Sequence, residues 1–355
     1  MNLISLFSGA GGLDIGFKNA GFNLLWANDF DKDACETYKQ NIGDHIVHGD
    51  IQSYETKLCS TFSEIDLVIG GPPCQGFSVA GKMDPTDPRS RHVWTFVENI
   101  ERIKPKAFVM ENVGALGKLD KWKDIRTGIL FKLRSLGYAT NFVIINAKDY
   151  GVPQSRERIF FIGFKTASNN LNLNLDLMLD PYQQKSLTLK TTLLKLDKAG
   201  TGNNTGQCNA KITLAKNPIM RKSPFAGMLF NGLGRPLDIN GYSSTISASM
   251  GGNKTPIVDE EELYFDKDNW IIEYHKKLSN GIARPELVDI PKSVRRITVE
   301  EAALIQTFPI GYKFSGSQSS KFKQIGNAVP CNLSQQVAKM VFDRLLQKDF
   351  YKYAN

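Results

Sequence analysis

The sequence predicts an α/β protein, a doubly wound and mostly parallel sheet with a second, smaller and loop-rich domain. Three observations predict it. Short apolar runs alternate with helix-like segments as far as Phe164, and turn residues follow several of those runs. Past Phe164 the chain becomes rich in Asn, Gly, Thr and Ser, and its periodicity weakens. Regularity returns at "TVEEAALIQTF", where Thr298 and Glu301 form a capping box ahead of an apolar helix.

In chain order, residues 3–7, 23–27, 65–69, 107–110, 141–145 and 159–164 read as strands. Segments around 12–20, 31–41, 92–103 and 122–136 carry helical apolar spacing, with Gly21 and Gly137 as C-terminal caps. A last helix is expected over 332–347. The weak-pattern region still contains "FAGMLF", "STISASM" and "ELYF", too apolar for a disordered insert, so a second domain is expected at 186–323. Residues 1–185 and 324–355 then form the first domain.

A hydrophobic content of 41% in 355 residues suffices for a substantial core. Five cysteines (Cys35, Cys59, Cys74, Cys208 and Cys331) without a Cys-x-x-Cys pair argue against a disulfide framework and against a zinc site. The start lacks the basic and apolar segments of a signal peptide, and no window approaches the ~18 apolar residues of a membrane span. The expected compartment is the cytoplasm. Net charge is +8, which favours an anionic partner, nucleic acid first. The excess is concentrated: residues 199–258 hold six basic side chains (Lys211, Lys216, Arg221, Lys222, Arg235, Lys254) against Asp238 alone.

The stretch "GGPPCQGFS" ends an apolar strand with two glycines that permit close approach and two prolines that stiffen the exit. Cys74 on so rigid a loop serves either packing or nucleophilic attack. "LFSGAGGLDIGF" is a strand, a glycine turn and a helix start, the arrangement that presents backbone N–H groups to a nucleotide. Asp29, twenty residues after Gly9, stands where a ribose ligand is usual. Asp14, however, occupies the place of the third glycine of the dinucleotide fingerprint, which favours a nucleoside cofactor without a pyrophosphate, such as S-adenosylmethionine. Asp50 ends a third strand, beside where an adenine would lie. Glu111 follows "AFVM"; a partly dry crevice would raise its pKa and suit a proton donor, whereas an isolated loop carboxylate is commonly solvated. Arg156 and Arg158 in "QSRER" are either a surface charge pair or a clamp on a phosphate or carbonyl oxygen.

In order and spacing, "FSGAGG", "GPPCQGFS", "ENV", "QSRERIFFIGF", "RRITVEEAALIQTFP" and "QIGNAVP" resemble the DNA cytosine-5 methyltransferases of bacterial restriction–modification systems. The resemblance covers 1–164 and 295–345 closely, and 165–294 fall where that family places its variable target-recognition region. It implies a Rossmann-like S-adenosylmethionine-dependent sheet, methylation of carbon 5 of a flipped-out cytosine in double-stranded DNA, and S-adenosylhomocysteine as product. By the same resemblance Cys74 is the nucleophile, Glu111 the acid at N3, and Arg158 the contact to the base carbonyl with Arg156 near phosphate. Phe7, Gly9, Gly11, Asp29, Phe30, Asp50, Ile51, Pro73, Asn327 and Val329 are the cofactor residues. The loop 75–91 matches the one that closes over the flipped base, with Gln75 and Ser78 near the nucleotide and Ser90 and Arg91 near the backbone. Trp94 is expected to pack in the cofactor pocket. "STISASMGGNK" resembles a recognition loop, with Ser247, Asn253 and Lys254 as DNA contacts and Arg221 and Arg235 as candidate base readers.

The expectation is therefore a monomeric DNA methyltransferase without metal or membrane attachment, at work in the cytoplasm on the nucleoid, with a cognate restriction endonuclease as a possible functional partner. Methylation of transfer RNA by the same chemistry is the alternative, against which stands the absence of the tripeptide "CFT". A nucleotide-binding oxidoreductase is disfavoured by Asp14 and the Pro-Cys block. An adenine methyltransferase would show Asn or Asp before Pro-Pro-Tyr. A catalytically dead DNA-binding module is disfavoured by the intact Cys74, Glu111 and Arg158 set.

Overall fold

The computed structural model describes residues 1–54, 62, 64–73, 91–168 and 172–347. The chain divides into two units: Met1–Gly151, Arg156–Lys185 and Ala328–Asn355 form the first, Val152–Ser155 and Ser186–Asn327 the second.

The first unit is built on seven strands: β1 (Asn2–Leu6), β2 (Asn23–Asp29), β3 (Ile46–His48), β4 (Leu67–Gly70), β5 (Ala107–Val113), β6 (Tyr138–Asn146) and β7 (Glu157–Lys165). Their order in the sheet is β3-β2-β1-β4-β5-β7-β6. The first five run parallel, while β7 is antiparallel to both of its neighbours. The reason lies in the connections. Helices α1 (Gly12–Asn19), α2 (Lys32–Asn41) and α3 (His92–Ile103) supply crossovers between parallel strands, but only residues 147–156 separate β6 from β7, which suits an antiparallel return. The expected mostly parallel sheet is what the structure shows.

Right-handed crossovers place α1 and α2 on one face and α3 and α5 (Lys123–Ser135) on the other, because the strand order reverses between β1 and β4. Against α3 and α5, Ile4, Leu6, Val68, Phe108, Met110 and Phe161 meet Phe96, Val97, Ile100, Ile129 and Leu133 in one fully buried cluster. Between β5 and α5 lies the short helix α4 (Gly114–Lys118). The C-terminal helix (Cys331–Leu346) lies along α1: a Cβ on Gly16 would stand 2.3 Å from Ser334 Oγ, and that hydroxyl donates to the Leu13 carbonyl. Only a glycine lets the helices approach so closely. The last segment of the sequence is regular because it completes the first unit.

The second unit has its own core of Leu229, Phe230, Ile257, Ile271, Tyr274 and Val294. Its strands are short, β8 (Leu214–Ile219) with β9 (Met228–Phe230), and β10 (Ile257–Asp259) with β11 (Val294–Arg296), both antiparallel. The capping box is present in full: Glu301 N–H donates to Thr298 Oγ1 at 3.0 Å and Thr298 N–H to Glu301 Oε2 at 2.9 Å, opening the helix Val299–Ile305. That helix ends in a Schellman arrangement, with Phe308 N–H on the Ala303 carbonyl and Thr307 N–H on Leu304. Thr307 occupies the left-handed position at φ +59°, where a β-branched residue is strained. Thr307→Gly is expected to stabilise the fold by roughly 1 kcal/mol, strain relief exceeding the entropy cost of glycine. Urea denaturation checks this, and a loss of stability would mean that the threonine side chain outweighs its backbone.

Candidate active site

Ligands of doubly wound sheets bind outside the carboxyl ends of the strands, at the point where strand order reverses. Here that point is the β1/β4 junction, and turns at this edge carry most of the first-unit residues singled out from the sequence.

After β1 the chain turns sharply through Phe7, Gly9 and Gly11, all at positive φ (+55°, +54° and +84°). The two glycines adopt this freely. Phe7 does not, and such strain in a non-glycine residue persists where surroundings fix it; its ring lies edge-on to His92, centroids 5.6 Å apart. The turn is tied to the end of β2: Gly9 N–H donates to Asp29 Oδ2 at 2.7 Å, while Asp31 N–H donates to Asp29 Oδ1 at 2.8 Å. Asp31 in turn caps α2. Phe30 leaves its ring 75% exposed at the strand end, and Ile51 is buried. Asp50 accepts from Gln52 N–H at 3.0 Å and keeps an exposed carboxylate. A bare backbone turn, two carboxylates at successive strand ends and an exposed aromatic ring suit a nucleoside cofactor.

At the end of β4 the Pro72 carbonyl accepts a hydrogen bond from Asn112 Nδ2 at 3.1 Å, fixing the exit that the prolines already stiffen. A Cβ on Gly71 would lie 3.4 Å from Glu111 Oε2, so this loop and Glu111 are neighbours. The described chain pauses at Pro73; Cys74, Gln75, Ser78 and Ser90, with the rest of the expected closing loop before Arg91, lie outside the described residues.

Glu111 lies within β5, which continues through "ENV" where the sequence reading ended the strand at Met110. Pairing of β5 with β7 explains the extension. Arg158 stands opposite Val113, so Glu111, two residues back, shares its face, and Arg158 Nε meets Glu111 Oε1 at 2.9 Å. Glu111 is buried, and burial pushes its pKa above the ordinary carboxylate value while the charges of Arg158 and Arg156 pull the other way.

Arg156 differs from expectation. It precedes β7, is 1% exposed, and donates through Nη2 to the Ala328 carbonyl at 3.1 Å. A buried guanidinium cannot be presented to a phosphate as it stands; it fastens the segment before the C-terminal helix and lends its charge to Glu111. Trp94 also differs. Its ring lies against Gly128 of α5, 3.1 Å from where a Cβ would be, and it is His92, two residues earlier, that packs on Phe7.

Val329 is buried in the first unit, while Asn327 is exposed at the end of a helix of the second (Gln318–Asn327). Arg91 is exposed ahead of α3. The other candidate DNA contacts belong to the second unit and are exposed: Arg221, Arg235, Ser247, Asn253 and Lys254. Ser247 Oγ shares a hydrogen bond with Ser249 Oγ, Lys254 ends the turn Gly252–Lys254, and the Asn253 carbonyl accepts from Gly234 N–H. The Arg235 guanidinium donates to the Ala226 carbonyl and so fastens the loop between β8 and β9. Asn112 was not singled out; its signal was its place beside Glu111 at a strand end. No helix among the described residues is long and apolar enough to cross a membrane.

The family model of the C-5 cytosine-specific DNA methylases matches residues 1–343. Among characterised proteins, the chain is 32% identical to the type II methyltransferase M.FnuDI of Fusobacterium nucleatum, over 99% of this chain and 97% of the relative. It is likewise 32% identical to the type II methyltransferase M1.HphI of Haemophilus parahaemolyticus, over 96% and 86%. Among solved structures, the S. pombe Dnmt2 methyltransferase superposes with a TM-score of 0.67 at 15% identity, covering 98% of this chain and 99% of that one, a likeness of fold.

Proposed function

The chain belongs to the C-5 cytosine-specific DNA methylases, and from that premise we propose that it transfers a methyl group from S-adenosylmethionine to a flipped-out cytosine at a specific site in duplex DNA, as the protective methylase of a type II restriction–modification system. The observation that carries the reading is the convergence, within one unit, of the strained glycine turn, Asp29 and the buried Glu111–Arg158 pair at the carboxyl edge of the sheet. The type II methyltransferases among its relatives support the restriction–modification role.

S-adenosylmethionine supplies an electrophilic methyl group when bound. The turn at Phe7, Gly9 and Gly11 would hold its methionine end, Asp29 the ribose hydroxyls, and Phe30 and Ile51 the adenine, with Asp50 at its amino group; Pro73 and Val329 of the same unit would complete the pocket. Carbon 5 of cytosine is a weak nucleophile. The Cys74 thiolate adds to C6, Glu111 delivers a proton to N3, and Arg158 holds the base carbonyl, so that electron density reaches C5. After transfer a base removes the C5 proton and the thiolate leaves. The ring atoms are inaccessible inside a duplex, which is why the base is flipped. Gln75 and Ser78 meet the nucleotide, Ser90 and Arg91 the backbone.

Within the second unit, residues 199–258 carry sequence choice, with Arg221, Arg235, Ser247, Asn253 and Lys254 as contacts. The protein works as a monomer in the cytoplasm, on the nucleoid; a cognate endonuclease is a functional partner and need not bind it.

Bisulfite sequencing of DNA from cells expressing the protein tests the reading: protected cytosines within one short sequence are expected, and none would overturn it. Exchanging residues 186–294 for the corresponding region of a relative is expected to move the methylated site while the product stays 5-methylcytosine. A folded, active chimaera that still marks the original site would place recognition elsewhere. Asp29→Ala is expected to weaken S-adenosylmethionine binding by about 1–3 kcal/mol, the scale of a lost charged hydrogen bond, measured by calorimetry without DNA.

A further inference from the structure

Asp14 has no task in the reaction just described, yet it is fully buried in the first turn of α1, directly after the glycine turn. Its Oδ1 accepts a hydrogen bond from the Tyr38 hydroxyl at 2.9 Å, and that hydroxyl lies 3.0 Å from His45 Nε2. Tyr38 is itself fully buried, whereas His45 is half-buried, so the three groups run from solvent to the base of the turn. Asp14 Oδ2 is buried without a hydrogen-bond partner among the described residues. An orphaned oxygen of this kind is costly as part of a charged carboxylate and far less so as part of a neutral acid. On the sheet side, Ser8 at the head of the turn donates to Ser5 Oγ at 2.9 Å, and Ser5 lies beside Asp14.

We propose that Asp14 is a positioning residue that takes up a proton when the nucleoside cofactor closes over the turn, coupling cofactor affinity to pH. This rests on the cofactor reading given above. Asp14 and Asp29 flank the same turn, one in the first turn of α1 and one bonded to Gly9, and each disfavours charge on the other. Burial pushes Asp14 up to about 7 although the Ser5 and Tyr38 hydroxyls favour its charged form, and the Asp29 charge adds a smaller push in the same direction as burial. A ligand held on Asp29 displaces the water that screens the two carboxylates, so the second charge becomes costlier. The proton comes from solvent.

The other charged and titratable groups around the chain do not replace Asp14. Lys18 of α1 holds the Ile42 carbonyl and, after burial, is what pushes His45 down, with Asp44 opposing. Cys35 of α2 is pushed up to about 12 and stays a thiol near neutral pH. The C-terminal helix offers α1 the neutral Ser334.

Calorimetry of S-adenosylhomocysteine binding to the full chain, in buffers of different ionisation enthalpy, tests the proposal. Near pH 7 the wild type is expected to take up a fraction of a proton, and affinity is expected to fall several-fold from pH 6 to 8. Both effects should vanish in Asp14→Asn and persist in His45→Gln. Tyr38→Phe removes a hydrogen bond that favours the charged form, so its midpoint should move to higher pH; this variant keeps the test decisive if Asp14→Asn fails to fold. Binding without proton uptake, uptake retained in Asp14→Asn, uptake lost in His45→Gln, or an unmoved Tyr38→Phe midpoint each overturns the proposal. Failure of the wild type to bind at all would instead count against the cofactor reading.

Discussion

Cys74→Ser is expected to abolish methylation of duplex DNA, by at least ~10⁴-fold, while specific DNA binding survives. The argument begins with cytosine. Carbon 5 attacks a methyl donor only when electron density is pushed into the ring from C6, and the push requires a nucleophile that adds reversibly. A thiolate does both well; a serine hydroxyl, almost wholly protonated at neutral pH, does neither. The approach to residue 74 is built for direction: β4 ends at Gly70, the Pro72 carbonyl is held by Asn112, and two prolines restrict the exit. DNA carrying 5-fluorocytosine should trap the wild type as a covalent adduct, because fluorine cannot leave as the C5 proton does. Trapping is read on a denaturing gel. A Cys74→Ser protein that still forms the adduct would remove Cys74 from this role.

Much of this edge was legible in the sequence because its signals are local. A glycine turn after an apolar run, an acid at a strand end and a Pro-Pro exit each declare themselves within a few residues, and the capping box at Thr298 and Glu301 does so in four. What escaped depends on partners distant in the chain. Glu111 reads as a loop residue until β7 pairs beside it and draws β5 onward. Arg156 and Arg158, alike in sequence, part company because one lies in β7 facing Glu111 while the other precedes the strand and is buried on the Ala328 carbonyl, 172 residues away. Asp14 could be seen as a misfit in a dinucleotide fingerprint, but not as the partner of Tyr38, which α2 brings to it from 24 residues on.

Glu111→Gln is expected to slow methyl transfer by roughly 10²–10⁴-fold, the usual weight of a positioned proton donor, with cofactor affinity nearly unchanged. The pH dependence separates this from a mere loss of shape. Burial raises the Glu111 pKa, so the carboxyl keeps its proton to higher pH than an exposed glutamate would. The rate of the chemical step should therefore fall as pH rises through that raised value, and the alkaline limb should disappear in Glu111→Gln, whose amide does not titrate. Arg158 supplies a second test through the 2.9 Å contact of its Nε with Glu111. Its charge lowers the Glu111 pKa, so Arg158→Ala should move the remaining alkaline limb to still higher pH while cutting the rate. The same substitution leaves a buried carboxylate without its partner and should cost about 3–5 kcal/mol in stability at pH 8. Most of that should return in the double variant Glu111→Gln/Arg158→Ala, where no unpaired charge remains, as double-mutant cycles in urea would show. Single-turnover rates across pH 6–9 decide the matter: an identical alkaline limb in the wild type and Glu111→Gln would assign the proton to another group.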